Sequence, residues 1–223
     1  MTPMDWVALA SLVTAGTVGA RWWSGRVDTL GRTRRFPWVA VGLLIVTSLG
    51  MAVPGAQRRS EEARLSAVAS QVASQSVRVH CQTFGEAFVD AGSELGWVAW
   101  RPDGTASPET LIKRSPCRDL RDYLGSDQAN PTLAQVVAVH VLTHESMHMS
   151  GILEEAMAEC AAVQRDALTA TLLGASDSEA QDLARRYWTT VYPDMPDAYR
   201  TPDCRAGGPL DENLASPPWA ATG

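Results

Sequence analysis

The sequence predicts a mainly α-helical domain carrying one small β-hairpin, preceded by one or two transmembrane helices. Three observations lead there. Long uncharged runs occupy the first sixty residues. The rest of the chain places apolar residues at helical spacing between cap and glycine-stop signals. Only one short stretch, Leu95 to Trp100, turns β-branched and aromatic ahead of a turn.

The membrane elements come first. Phe36 to Ala56 contains no charged residue and is long enough to cross a hydrocarbon core roughly 30 Å thick, so residues 36–56 are read as a transmembrane helix. Residues 6–23 form a second candidate span. Trp6 to Ala20 is uncharged but short and carries Ser, Thr and Gly, and Trp22 and Trp23 would anchor it at the interface. The loop between them, residues 21–35, holds Arg21, Arg26, Arg32, Arg34 and Arg35 against the single acid Asp28, which places it in the cytoplasm by the positive-inside rule. With one span or two, everything after Ala56 then emerges on the far side. A cleaved signal peptide would need a small-x-small site, which Pro54-Gly55-Ala56 fills poorly. The chain is expected to divide into an anchor (1–56), a helical stalk (57–80) and an extracytoplasmic domain with an irregular tail (81–223).

Taking the five loop arginines from nineteen basic residues, and Asp5 and Asp28 from twenty-five acids, leaves fourteen bases against twenty-three acids in the exported part. That balance argues against nucleic acid as a partner. Lys113 is the only lysine while Arg and Ala abound, the composition of a GC-rich bacterial genome. Cys81, Cys117, Cys160 and Cys204 all fall in the exported part, where an oxidising compartment favours two disulfides over buried thiols. Of the three connectivities that four cysteines allow, the preferred one joins Cys81 to Cys117 and Cys160 to Cys204.

Along the exported part, Leu65, Val68, Val72 and Val77 mark an amphipathic helix over Arg58 to Ser76, and Arg78 to Ser93 continues in helical style. Leu95 to Trp100, the turn Pro102-Asp103-Gly104 and a return strand at Leu111-Ile112 make the hairpin, with Trp97 and Trp100 read as packing residues. Ser115 to Leu124 reads as a short helix with Pro116 at its first position. Asn130-Pro131 supplies a cap for a helix of about 20 residues that Gly151 stops. A second helix runs from Ile152 to Leu173 and ends at Gly174. The capping box Ser176-x-x-Glu179 starts a third, which reaches Val191.

The helix stopped by Gly151 contains His144-Glu145-Ser146-Met147-His148. Residues four apart share a helix face with Cβ atoms roughly 5–6 Å apart, so the two imidazoles can reach one zinc ion. Glu145 is rotated about 100° round the helix, where its carboxylate can take a proton from a metal-bound water without occupying the metal. A catalytic zinc needs a third protein ligand. A tight turn at Gly151 folds the next helix back, bringing Glu155 level with His148 and Glu159 level with His144. Glu155 is the first choice of ligand, with Glu154 and Glu159 as alternatives, and Glu159 would accept the second ring N–H of His144 from the outer shell. His140, one turn before His144, is read as a buried outer-shell residue, because three ligands spread over two turns cannot all reach one ion.

The motif together with Glu155-Ala156-Met157-Ala158-Glu159 resembles the gluzincin class of zinc metallopeptidases, over about 20 residues of the chain. The resemblance implies a zincin-like active-site helix pair and peptide hydrolysis. A second resemblance competes with it: His144 to Glu154 reads HExxHxxGxxE, the metzincin spacing with Glu at the third ligand, and Met195 would then imitate the Met-turn. The function expected is a membrane-anchored, extracytoplasmic zinc-dependent metallopeptidase acting on a peptide or protein. Glu145 would serve as its general base, and Tyr187, Tyr192, Tyr199 or Arg200 would steady the oxyanion. Two alternatives stand beside it: a non-catalytic envelope domain with a structural zinc closed by four ligands, and a helical membrane scaffold with an accidental motif.

Overall fold

The structure is a computed structural model describing residues 3–27, 31–90 and 92–219. It divides into two units, up to Ser60 and from Glu61 onward.

The first unit holds helix α1 (Pro3–Ser24) and the opening part of helix α2 (Trp38–Val72). Ser48 Oγ of α2 donates to the Ala8 carbonyl at 2.9 Å, and Ala8, Ala15 and Ser48 are buried. Small residues thus let two apolar helices approach. Trp38, Val39, Leu43 and Val46 stay exposed. Among the described residues α2 is the one helix long and apolar enough to cross a membrane, and only 6% of its apolar window is buried, unlike the core helix of a soluble domain. α1 forms over the second candidate span without the apolar content of α2.

In the second unit the last turns of α2 bury Leu65, Val68, Ala69 and Val72, as their spacing predicts. The expected stalk over 57–80 differs in one respect. The helix ends at Val72, and strand β1 (Arg78–Cys81) follows where helical continuation was expected, with, among the described residues, only the short helix α3 (Phe84–Ala87) before Ser93. Val79 and Cys81 point inward while Arg78 and His80 face out, a period of two that a helix cannot satisfy. β1 runs parallel to β3 (Ala106–Ile112), and β3 pairs antiparallel with β2 (Gly96–Trp100). The hairpin is therefore part of a three-stranded sheet of order β1-β3-β2, with β2 at an edge. Gly104 takes the positive φ of 80° that its turn requires.

Helix α4 (Arg114–Leu124) buries Cys117, Leu120 and Tyr123, and the disulfide Cys81–Cys117 joins it to the end of β1. Helix α5 (Leu133–Met149) carries the two motif histidines. It starts two residues later than expected because Thr132-x-x-Gln135 forms a reciprocal capping box, leaving Asn130-Pro131 outside the helix. Almost all of α5 beyond Val136 is buried, the pattern of a helix with neighbours on every side. It ends in a Schellman turn. Gly151, at φ 107°, donates to the His148 carbonyl and Ile152 N–H donates to Met147.

The expected single helix 152–173 is two, α6 (Glu155–Val163) and α7 (Asp166–Leu173). Gln164 bridges the break by donating to the Cys160 and Leu210 carbonyls, a side-chain arrangement without a glycine or proline signal. Helix α8 (Asp177–Thr190) begins at the capping box Ser176–Glu179. After it come two 3-10 turns, η1 (Tyr192–Asp194) and η2 (Asp197–Tyr199), and an irregular segment held by the disulfide Cys160–Cys204 and the Arg165–Glu212 ion pair.

Candidate metal centre

The Schellman turn does two things for the site. It sends the chain back so that α6 opens beside the last turn of α5, and it delivers the Ile152 carbonyl to His148 Nδ1 at 2.7 Å. A carbonyl only accepts, so Nδ1 carries the hydrogen and a neutral His148 presents a bare lone pair at Nε2. That lone pair lies 2.9 Å from His144 Nε2 and 3.2 Å from Glu155 Oε2, and His144 Nε2 lies 3.1 Å from the same oxygen. Glu155 is the first residue of α6, where the helix dipole favours a carboxylate.

Three acceptor atoms this close repel one another unless a positive charge lies among them. Tetrahedral coordination with bonds of about 2.0–2.1 Å separates ligand atoms by about 3.3 Å, close to the spacing here. Two imidazole nitrogens and a carboxylate oxygen fit a divalent ion such as zinc. Without an ion the same demand falls on a proton. Burial opposes a charged His144, yet the hydrogen bond to Glu155 and the close carboxylate of Glu159 outweigh it and hold the ring up to about 9. The histidines draw Glu155 down to about 2.

Glu154 caps α6 and faces solvent, away from the cluster. Glu159 lies one turn deeper. Its Oε2 sits 3.0 Å from His144 Nδ1, but off the line of a well-directed hydrogen bond, so Nδ1 is buried with the carboxylate beside it and no aligned partner. The close contact fixes the electrostatics even without that alignment. The same Oε2 accepts from His140 Nε2 at 2.9 Å, and Oε1 accepts from the Tyr187 hydroxyl at 2.8 Å. His140 Nδ1 meets Asp166 at 2.9 Å, and the ring stacks on Tyr187 with centroids 3.6 Å apart. Burial works against charge on His140, and the two carboxylates overcome it, raising it to about 10. Glu159 is pulled far below the carboxylate range despite its burial.

Glu145 is buried beside the cluster, its carboxylate against Gly96 of β2 and Thr110 of β3, and burial raises its pKa although His144 and His148 pull it the other way. It borders a cavity of about 280 Å³ walled by Leu95, Val137, Val141, Val191 and Met195. Among the four residues expected near an oxyanion, Tyr187 is engaged with Glu159, Tyr192 with Thr201, and Arg200 with Asp197 and Pro193. Tyr199 lines the cavity with its ring 5.8 Å from that of His144, and its hydroxyl makes no hydrogen bond among the described residues. Trp100 is half-buried with its ring 6.3 Å from His148, and Trp97 is exposed on the edge strand.

Sequence reasoning missed Asp166, Thr110 and the Ile152 carbonyl. Only the last left a signal, the glycine stop that dictates the turn. No protein-family model matches this chain, and no curated protein or solved structure matches it.

Proposed function

We propose that the protein is a membrane-anchored metallopeptidase whose ion is zinc, held by His144, His148 and Glu155. The observation that carries this reading is the convergence of two imidazole nitrogens and one carboxylate oxygen beside a buried glutamate, Glu145, that stays out of the cluster. When bound, such an ion supplies Lewis-acid polarisation and acidifies water. The chain supplies the rest. Glu145 takes the proton of the attacking water and hands it to the leaving amine. Tyr199 offers its hydroxyl to the developing oxyanion. The free edge of β2 offers backbone groups to an extended peptide, and the apolar cavity takes one of its side chains. The five arginines before the span and the two disulfides support an extracytoplasmic domain.

The test uses the full-length protein in detergent with a mixed peptide library read by mass spectrometry. Hydrolysis lost with a chelator, restored by zinc, and lost again in a zinc-bound Glu145→Gln variant is the expected result. General-base catalysis is worth roughly 10²- to 10⁴-fold in rate. Stoichiometric zinc without hydrolysis would establish a structural site instead.

A further inference from the structure

We infer that Thr110 is the positioning residue for Glu145: it holds one carboxylate oxygen so that the other is left to exchange a proton, and Gly96 keeps clear the space in which that oxygen lies. The inference rests on reading Glu145 as the general base.

Thr110 lies in the middle strand of the sheet and is completely buried. Its hydroxyl is 3.0 Å from the Trp97 carbonyl and 3.3 Å from Glu145 Oε2. Both neighbours are acceptors and a threonine hydroxyl has one hydrogen, so it serves one of them at a time. The β-branched side chain is stiff about χ1, which keeps the oxygen between its two partners whichever it serves. For Glu145 the contact is singular: among the described residues no other hydrogen bond reaches its carboxylate. Oε1 makes none. It packs instead against Gly96, where an added Cβ would lie 2.8 Å from Oε1 and 3.0 Å from Cδ. Any other residue at position 96 would force the carboxylate or the strand to shift. The two oxygens of Glu145 are thus inequivalent, one tethered to the sheet and one untethered in a gap that only glycine leaves. A base that must accept a proton and then release it needs this: a fixed carbon frame and one unengaged oxygen.

A purely structural role is the competing account, in which the hydroxyl satisfies the Trp97 carbonyl and Glu145 is incidental. Thr110→Val keeps the shape and removes the hydrogen, Thr110→Ser keeps the hydrogen, and Gly96→Ala crowds Oε1. In the zinc-loaded full-length protein we expect Thr110→Val to lower kcat roughly tenfold while KM and zinc affinity by chelator competition stay unchanged, and Gly96→Ala to lower kcat similarly with zinc affinity unchanged. Thr110→Ser should recover most of the loss. A Thr110→Val protein with wild-type kcat, or one whose deficit serine does not recover, overturns the inference. A crystal structure of Thr110→Val decides it without turnover: the Glu145 carboxylate should rotate away from β3, and a carboxylate left in place overturns the assignment. Wild-type protein that binds zinc and cleaves nothing refutes the general-base reading itself, and the crystal structure still reports whether Thr110 holds Glu145.

Discussion

Two clusters of histidine and carboxylate lie side by side along α5, and they differ in how they balance charge. In the inner one, His140 is flanked by Glu159 and Asp166 and stacked on Tyr187. Donors there meet acceptors, and an imidazolium offsets carboxylates. In the outer one, two ring nitrogens and a carboxylate oxygen, of His144, His148 and Glu155, crowd a common centre where only an ion or a proton on His144 can reconcile them, and Glu155 is partly exposed. His140, His144 and Glu159 are also close enough together to be metal ligands, but His140 is already hydrogen-bonded through both ring nitrogens, to Glu159 and to Asp166. Proximity of ligand atoms does not distinguish the two clusters. The location of the hydrogens does, and it is set by fixed acceptors such as the Ile152 carbonyl.

The contrast breaks most visibly in the inner cluster. His140→Phe keeps the stack on Tyr187 but leaves Glu159 and Asp166 buried without their cation. Breaking a buried pair this way costs roughly 3–5 kcal/mol. Denaturant unfolding of the variant should show that loss, whereas His148→Ala should leave the metal-free protein near wild-type stability and abolish metal binding. Equal destabilisation by the two variants would erase the distinction.

The next effects concern the ligands. Glu155→Gln should weaken zinc binding by more than the roughly 10- to 100-fold expected for the outer-shell change Glu159→Gln, and Glu154→Gln should leave affinity unchanged. Chelator competition measures all three. Release of zinc by Glu154→Gln alone would transfer the ligand role to the metzincin-like spacing. Zinc at a hundred times its dissociation constant should stabilise the wild type by about 2.7 kcal/mol. The His148→Ala protein should gain none of it.

The smallest effect is in pH. His144 and His140 are held up to about 9 and about 10, above the ordinary 6.5. A histidine raised on folding contributes stability that is complete below its unfolded pKa and lost as pH rises through the folded value. The metal-free protein should therefore weaken between about pH 6.5 and pH 10. Zinc should blunt the part due to His144 and leave that of His140. A thermal midpoint flat across this range in metal-free protein would contradict both assignments.

What the sequence revealed follows the range of the interactions. The His144–His148 spacing, the stop at Gly151 and the return of Glu155 are settled within a dozen residues by helix geometry, so they could be read directly. The disulfide partners lie farther apart, yet cysteine chemistry narrows the choices to three. β1 was hidden because four residues carry little periodicity and its partner β3 begins beyond a turn, a helix and another strand. Asp166 was hidden because it opens α7 after a break that a long-range bond from Gln164 to Leu210 sustains. The role of His140 depended on that break, so the sequence could place the residue near the site but could not name both of its partners.

We read the outer cluster as one completed by a cation from outside the chain. Equilibrium zinc titration of the full-length protein, with proton release followed at fixed pH, tests it most directly. Near pH 8 about one equivalent should bind, with protons released because the ion displaces the one held at His144. Binding should disappear in His148→Ala and persist in Glu145→Gln. Wild-type protein that takes up no zinc, or His148→Ala that binds it as tightly as wild type, would contradict the account.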